Sequence, residues 1–310
     1  MFELPVLLQI LWTSVATSTY YVLFALAFAL TLKVAQVWNF VQAGIMGLSF
    51  YAMFAALRKW DWPHLAGFAF GLALAVIVSM LAEMWGYRVL RRRKSPPLLV
   101  FIFAITFAEF IAYLLSLLFG TEPESLTKSM AGEIYLVGGV AIAPWDLSAL
   151  AVTAAACAVL FAFLRYSRQG QFMQAVADNG ELAELYGISA NRAYLYSMVI
   201  AAALVSIGIY LYGTRASMIP SAPLELMLLA VIATILGGIG SLVGAAIAAV
   251  FLSLLQSASI LVIPSQWQGS LTYFVLFFVI LFFPTGFRLP KRRRKPAAAA
   301  PSPAPAGQGS

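Results

Sequence analysis

The sequence predicts an all-α fold: a polytopic transmembrane helical bundle of eight or nine membrane segments, with a small β-hairpin on the outer side and one sizeable polar loop on the inner side. Three observations predict it. The chain is 62% hydrophobic and only 10% charged, with a mean hydropathy of +0.91, poorer in charge than soluble domains of its 310-residue length. Its apolar runs reach about 18 residues or more, the length a helix needs to cross a bilayer, whereas a transmembrane barrel would alternate in segments of about ten. Its basic residues cluster beside those runs, as cytoplasmic loops do. The net charge of +7 therefore speaks for membrane topology and against nucleic-acid binding.

The elements follow in order. Span 1 covers residues 13–32, and the N-terminus lacks the basic region and small-residue cleavage site of a signal peptide. Span 2 covers 39–57. Trp60, Trp62 and Pro63, beside the single histidine His64, read as an interfacial turn. Span 3, 65–87, closes on Arg88, Arg91, Arg92, Arg93 and Lys94, and Pro96 and Pro97 break the helix. Span 4 covers 98–119. The acidic loop 120–144 contains a predicted hairpin, 134–137 and 140–143, around Gly138 and Gly139. Span 5, 145–164, leads into the polar loop 165–192, and span 6 covers 193–212. The apolar stretch 224–262 is too long for one span and is interrupted at Gly237, Gly238, Gly240 and Ser241. It reads as a short descending helix, a glycine turn and an ascending helix. The last span, 268–283, stops at Pro284 and Gly286. Residues 1–290 thus form one transmembrane domain, and 291–310 a basic, then Ala/Pro-rich, disordered tail.

Charge sets a topology. The clusters at 88–94, 165–168 and 288–295 belong inside and the acidic 120–144 loop outside. That puts the C-terminus in the cytoplasm and the N-terminus outside. Arg58 and Lys59 breach the rule locally, which leaves a re-entrant span 2 open.

The polar loop 165–192 is the longest such interruption. Residues 171–176 suit a short helix, and Asp178 and Asn179 are good N-caps for a second. Glu181 and Glu184 suit the positive end of its dipole. Leu182, Leu185 and Tyr186 share one face, and Gly187 stands where a left-handed residue ends a helix. So short a helix is unstable alone. Its stripe needs a surface, either the membrane face or a partner.

Inside the spans, Asn39 and Gln42 are polar groups that belong against protein or a pathway, and Glu109 is the lone charge of span 4. Each has a plain alternative: an interhelical hydrogen bond for the first two, a structural or neutral carboxyl for Glu109. Glu83 reads as a local partner of the Arg88–Lys94 basic cluster. Gly237, Gly238, Gly240 and Ser241 serve either close helix packing or a broken helix that exposes backbone groups to a cavity. No phosphate-binding glycine loop is present. With one histidine and one cysteine, Cys157, neither a triad nor a metal site is expected, and no cofactor.

The loop 165–192 resembles that of ABC importer permeases of the LivH type: small residues with Ala-Val-Ala, an acidic patch, then Leu-Tyr-Gly-Ile and Asn-Arg. Asn39, Phe40, Leu48 and Tyr51 are similar to that family's Asn-Phe segment, although its Gly-Glu pair is Ala43-Gly44 here. The stretch LGGIGSLVGAA and the terminal Phe282-Phe283-Pro284-Thr285-Gly286 also resemble family segments. The resemblance implies a non-catalytic, membrane-spanning subunit of an ABC importer in the bacterial inner membrane. Its implied partners are a second permease subunit, the same or related, two cytosolic ATPase subunits that grip the region from Asp178 to Ile188, an external substrate-binding protein, and lipid. The implied cargo is branched-chain amino acids or related small solutes, moved by ATP-driven alternating access. The competing reading is an ATP-independent secondary transporter or channel. Such proteins usually place several ionisable groups at mid-membrane, and here Glu109 stands nearly alone.

Overall fold

The computed structural model describes residues 4–127, 135–137, 139–261 and 268–282. Helix α1 (Leu4–Ala35) is followed by α2 (Val41–Phe54), which runs on as a π-helical turn, Ala55–Lys59. Helix α3 (His64–Leu81) passes through a second π-helical stretch, Ala82–Tyr87, into the short α4 (Arg88–Arg92). Then come α5 (Pro97–Phe119), the hairpin β1 (Tyr135–Val137) and β2 (Val140–Ile142), and α6 (Pro144–Tyr166). The polar loop forms α7 (Arg168–Asp178) and α8 (Gly180–Leu185). Helices α9 (Ala190–Gly213), α10 (Ala222–Leu236), α11 (Leu242–Ser259) and α12 (Gln268–Phe282) complete the chain.

Helix α1 is the hub. It lies against α6, α7, α9, α10 and α11, and residues 23–29 have no exposed surface. A helix apolar on every side is a buried helix, and here the alternation of Phe and Leu with Ala keeps its girth small. On the facing side, a Cβ on Gly208 of α9 would sit 2.6 Å from the Phe24 ring, so only glycine allows that approach. Helix α2 is enclosed in the same way by α3, α5, α9 and α10. Helices α3, α5 and α6 instead keep large apolar side chains exposed, among them Leu65, Tyr113, Leu117 and Val159. These faces suit lipid.

Among the described residues, seven helical stretches are long and apolar enough to cross a membrane. The expected eight or nine segments become those seven plus two 15-residue helices, α10 and α12. Each of these is about 22 Å long, against a hydrocarbon core of about 30 Å. The glycine turn is the reason for α10: it ends the helix before full span length. The second apolar segment is one continuous 19-residue helix, Val41–Lys59, with no re-entrant break. Helix α1 starts nine residues earlier than expected, because Pro5 fits a first helical turn and the added turns find partners. Gln9 accepts a hydrogen bond from the Ala141 amide (2.7 Å), which moors the hairpin. The hairpin pairs Tyr135 with Ile142 and Val137 with Val140, and Gly139 takes the left-handed turn position (φ +82°). Ile134, Gly138 and the tail 291–310 lie outside the described residues.

A polar staple joins three helices. Asp146 of α6 is buried, pairs with Arg215 after α9 (3.0 Å) and accepts from the Trp12 indole of α1 (3.2 Å). Arg215→Met would strand the Asp146 charge. Arg215 is itself a third exposed, so the loss should be about 1–3 kcal/mol rather than that of a fully buried pair. Thermal unfolding in detergent should show a midpoint lowered by a few degrees, and Asp146→Asn in the same chain should restore part of it.

Candidate functional site

The polar loop folds as two helices. Ser167 caps the first, its hydroxyl accepting from the Gly170 amide (2.9 Å). Gly170 lies so close to the Phe163 and Leu164 backbone that no Cβ fits there, and Gln174 donates to the Leu164 carbonyl (2.7 Å). Met173 and Val176 are buried beneath α7. Helix α7 is therefore clamped onto the end of α6, and it is longer than the expected 171–176.

Helix α8 stands on that platform. Asn179 is its N-cap, the side-chain oxygen accepting from the Leu182 amide (3.0 Å). Asp178 does not cap: it is the last residue of α7, since the extra turn of that helix leaves only Asn179 in extended backbone. Gly187 takes the left-handed position (φ +79°), and the Ile188 amide reaches back to the Ala183 carbonyl (3.0 Å). The helix is six residues long, ending at Leu185 with Tyr186 as its C-cap. Ala183 is the face turned inward. Leu182 (50%), Leu185 (84%) and Tyr186 (80%) point outward. The apolar stripe thus does not fold back on the protein, and Glu181 and Glu184 flank it in solvent.

Beneath this tip lies a cluster that the sequence shows only in part. Glu83 is buried and pairs with Arg91. The Arg91 guanidinium lies over the Tyr194 ring (4.4 Å), close to the start of α8, where Tyr194 faces Gly180. Tyr87 donates to Asn39 (2.7 Å), whose amide reaches Met198 of α9 (3.0 Å). Glu83 and Arg91 are eight residues apart, which on a regular helix leaves them about 80° out of line. The wider π-helical turns of Ala82–Tyr87 reduce that winding and bring them together. The basic run marked Glu83 as a charge partner; the π segment that chooses Arg91 has no sequence signature.

Asn39 and Gln42 are both buried in helix contacts. Gln42 donates to Thr31 (3.2 Å) and to the Ala27 carbonyl (3.3 Å) of α1. Their geometry is that of interhelical hydrogen bonds. Glu109 is placed differently. It is thirteenth of the 23 residues of α5, half-buried, and lines a recess with Gly44 and Gly47 of α2, Ala108 and Ala112 of α5, and Ser221 and Pro223 at the start of α10. A charge at such depth costs about 2.5–3.5 kcal/mol in lipid, so a recess is where it belongs.

The glycine segment is a helical hairpin turn. Gly237 caps α10, Gly238 (φ +93°) and Gly240 (φ +91°) are left-handed, and Ser241 caps α11 by accepting from the Gly244 amide (3.0 Å). Gly237 and Gly244 touch backbone to backbone. Among the described residues, no group of His, Cys, Asp and Glu is arranged to hold a metal.

A lipid-faced helical bundle with a recessed mid-span carboxylate and an exposed helical tip on its polar side has the architecture of a multi-pass membrane permease. The family model described as branched-chain amino acid transport system / permease component matches residues 10–284, and the chain belongs to that family. It is 27% identical over 293 residues to the high-affinity branched-chain amino acid transport system permease protein LivH of Escherichia coli K12, covering 90% of this chain and 94% of that one. It is 25% identical over 292 residues to BraD of Pseudomonas aeruginosa, with the same coverage. The solved structure of PsaBC from Streptococcus pneumoniae in complex with Fab matches with a TM-score of 0.50 at 11% identity, covering 88% of this chain and 91% of that one, a likeness of fold.

Asn179→Ala should remove about 1 kcal/mol of capping and fray α8. Limited proteolysis should then cut near residues 179–188 faster than in the unaltered chain, with the bundle otherwise intact.

Proposed function

We propose that this chain is the membrane-spanning, non-catalytic subunit of an ATP-driven importer, carrying branched-chain amino acids or related small organic solutes. It pairs with a second permease subunit, the same or related, and two cytosolic ATPases seat on α8. A soluble binding protein delivers cargo on the outer side. The N-terminus lies outside and the C-terminus in the cytoplasm. Nucleotide binding closes the ATPases, and the motion of α8 drives the bundle between inward-open and outward-open forms. Membership of the permease family and the names of the curated relatives support this reading.

The observation that carries it is α8 itself. A helix six residues long has no stability of its own, yet this one is capped at both ends, rests on a clamped platform, and holds its apolar side chains away from the protein. Such a tip suits a cleft on another protein. The contacts behind it, from Gly180 to Tyr194, Arg91, Glu83, Tyr87 and Asn39, give a displacement of α8 a route to the buried start of α2. The glycine turn and the Glu109 recess belong, on this reading, to the moving wall and the passage, while Asn39 and Gln42 hold that wall together.

Burying Leu185 and Tyr186 is worth about 1.5–3 kcal/mol each. Leu185→Glu should therefore weaken ATPase association more than tenfold while membrane insertion is kept, read by co-purification of ATPases co-expressed with it. Undiminished co-purification would place their footing elsewhere. Solute accumulation by the purified chain alone, without nucleotide, would sink the reading as a whole. Gly238→Leu forces a side chain into left-handed backbone, and should abolish uptake while the subunits still assemble.

A further inference from the structure

The recess beside Glu109 carries one sign of charge. Glu109 is the only charged residue of α5, Val41–Phe54 of α2 has none, and the only charged residue of α10 is Glu225. The basic pair Arg58 and Lys59 stands at the far end of the π-helical turn, and Lys59 lies over the Phe119 ring (4.7 Å). Glu109 has no ion-pair partner among the described residues. The walls are small because the helices nearly touch. A Cβ on Gly44 would stand 3.1 Å from the Ala108 Cα, and one on Gly47 3.1 Å from Leu115 and 3.4 Å from Pro223. Ala112 and Ser221 also border the recess.

We propose that this recess is a subsite for the ammonium group of a small substrate, with the Glu109 carboxylate as its counter-charge. An ammonium offers three donors to an ionised carboxylate and gains a charge-assisted hydrogen bond. Removed from bulk water, the pair attracts more strongly than at an open surface. An anion in the same place meets repulsion. Glu109 thereby selects cationic groups over anionic ones. The inference rests on the permease reading but not on what powers transport.

The test uses the full-length chain in lipid nanodiscs. The single cysteine is replaced, Cys157→Ser, and a reporter thiol is placed one turn from the carboxylate, Ala112→Cys. Reaction rates are measured with trimethylammonium-ethyl and sulfonato-ethyl methanethiosulfonates. With Glu109 present, the cation-to-anion rate ratio should exceed that of a free thiol about tenfold. Glu109→Gln should bring it back to the free-thiol value, and Glu109→Asp should keep it high. Butylammonium should slow labelling in the Glu109 chain and not in the Gln variant; butyrate should slow it in neither. Equal ratios with Glu and Gln, exclusion of both reagents, or equal protection by butyrate would overturn the subsite. If the Ala112→Cys chain does not fold, judged by size-exclusion, Ser221→Cys on the opposite wall serves as the reporter. No nucleotide or other subunit enters the assay. A chain that failed to bind ATPases would still show charge selection, and lost selection would leave ATPase association untouched.

Discussion

The bundle depends on how closely α1 can approach its neighbours. In lipid, apolar burial gives little drive for helices to associate, because acyl chains solvate a leucine as well as another helix does. Contact area, close packing and interhelical hydrogen bonds must hold the fold. Helix α1 supplies all three. Its alanines and the facing Gly208 permit close contact. Ser253 of α11 donates to the Ser14 carbonyl and bonds the Thr17 hydroxyl, both at 2.6 Å, and Tyr21 donates to Gln256 (2.8 Å). Because α1 and α2 are screened by other helices, α3, α5 and α6 are left to meet the membrane. The position of every polar feature follows from that layering.

The same rule explains why the intramembrane polar groups divide into two kinds. Asn39, Gln42, Thr31 and Glu83 lie where two helices meet, and each has a protein partner. Glu109 lies in a recess where α2, α5 and the start of α10 come close together. A carboxylate left without a counter-charge in such a recess is costly unless something with the opposite sign visits it, and the proposed ammonium subsite is the chemical counterpart of that charge.

Much of this was legible in the chain. The spans declared themselves by length and charge, and Gly187, Gly139 and the Gly237–Ser241 turn sit where glycine chemistry said a helix or strand must end. Asn179 caps as its side chain allows. What could not be read were features set by three-dimensional register. The π-helical stretch Ala82–Tyr87 has no compositional mark, so although the basic run marked Glu83 as a charge partner, the choice of Arg91 and its seat over Tyr194 could not be read. Asp146, Trp12 and Arg215 lie far apart along the chain and meet only once α1, α6 and α9 are packed. The outward turn of the α8 stripe was undecidable too, since periodicity marks a face and not the direction in which it looks.

The bare tip of α8 has a consequence for how such a protein is made. Leucine and tyrosine held in water at the end of a rigid post form an adhesive surface until something covers them. Left uncovered, such a tip would make membrane-embedded copies of the chain prone to clustering.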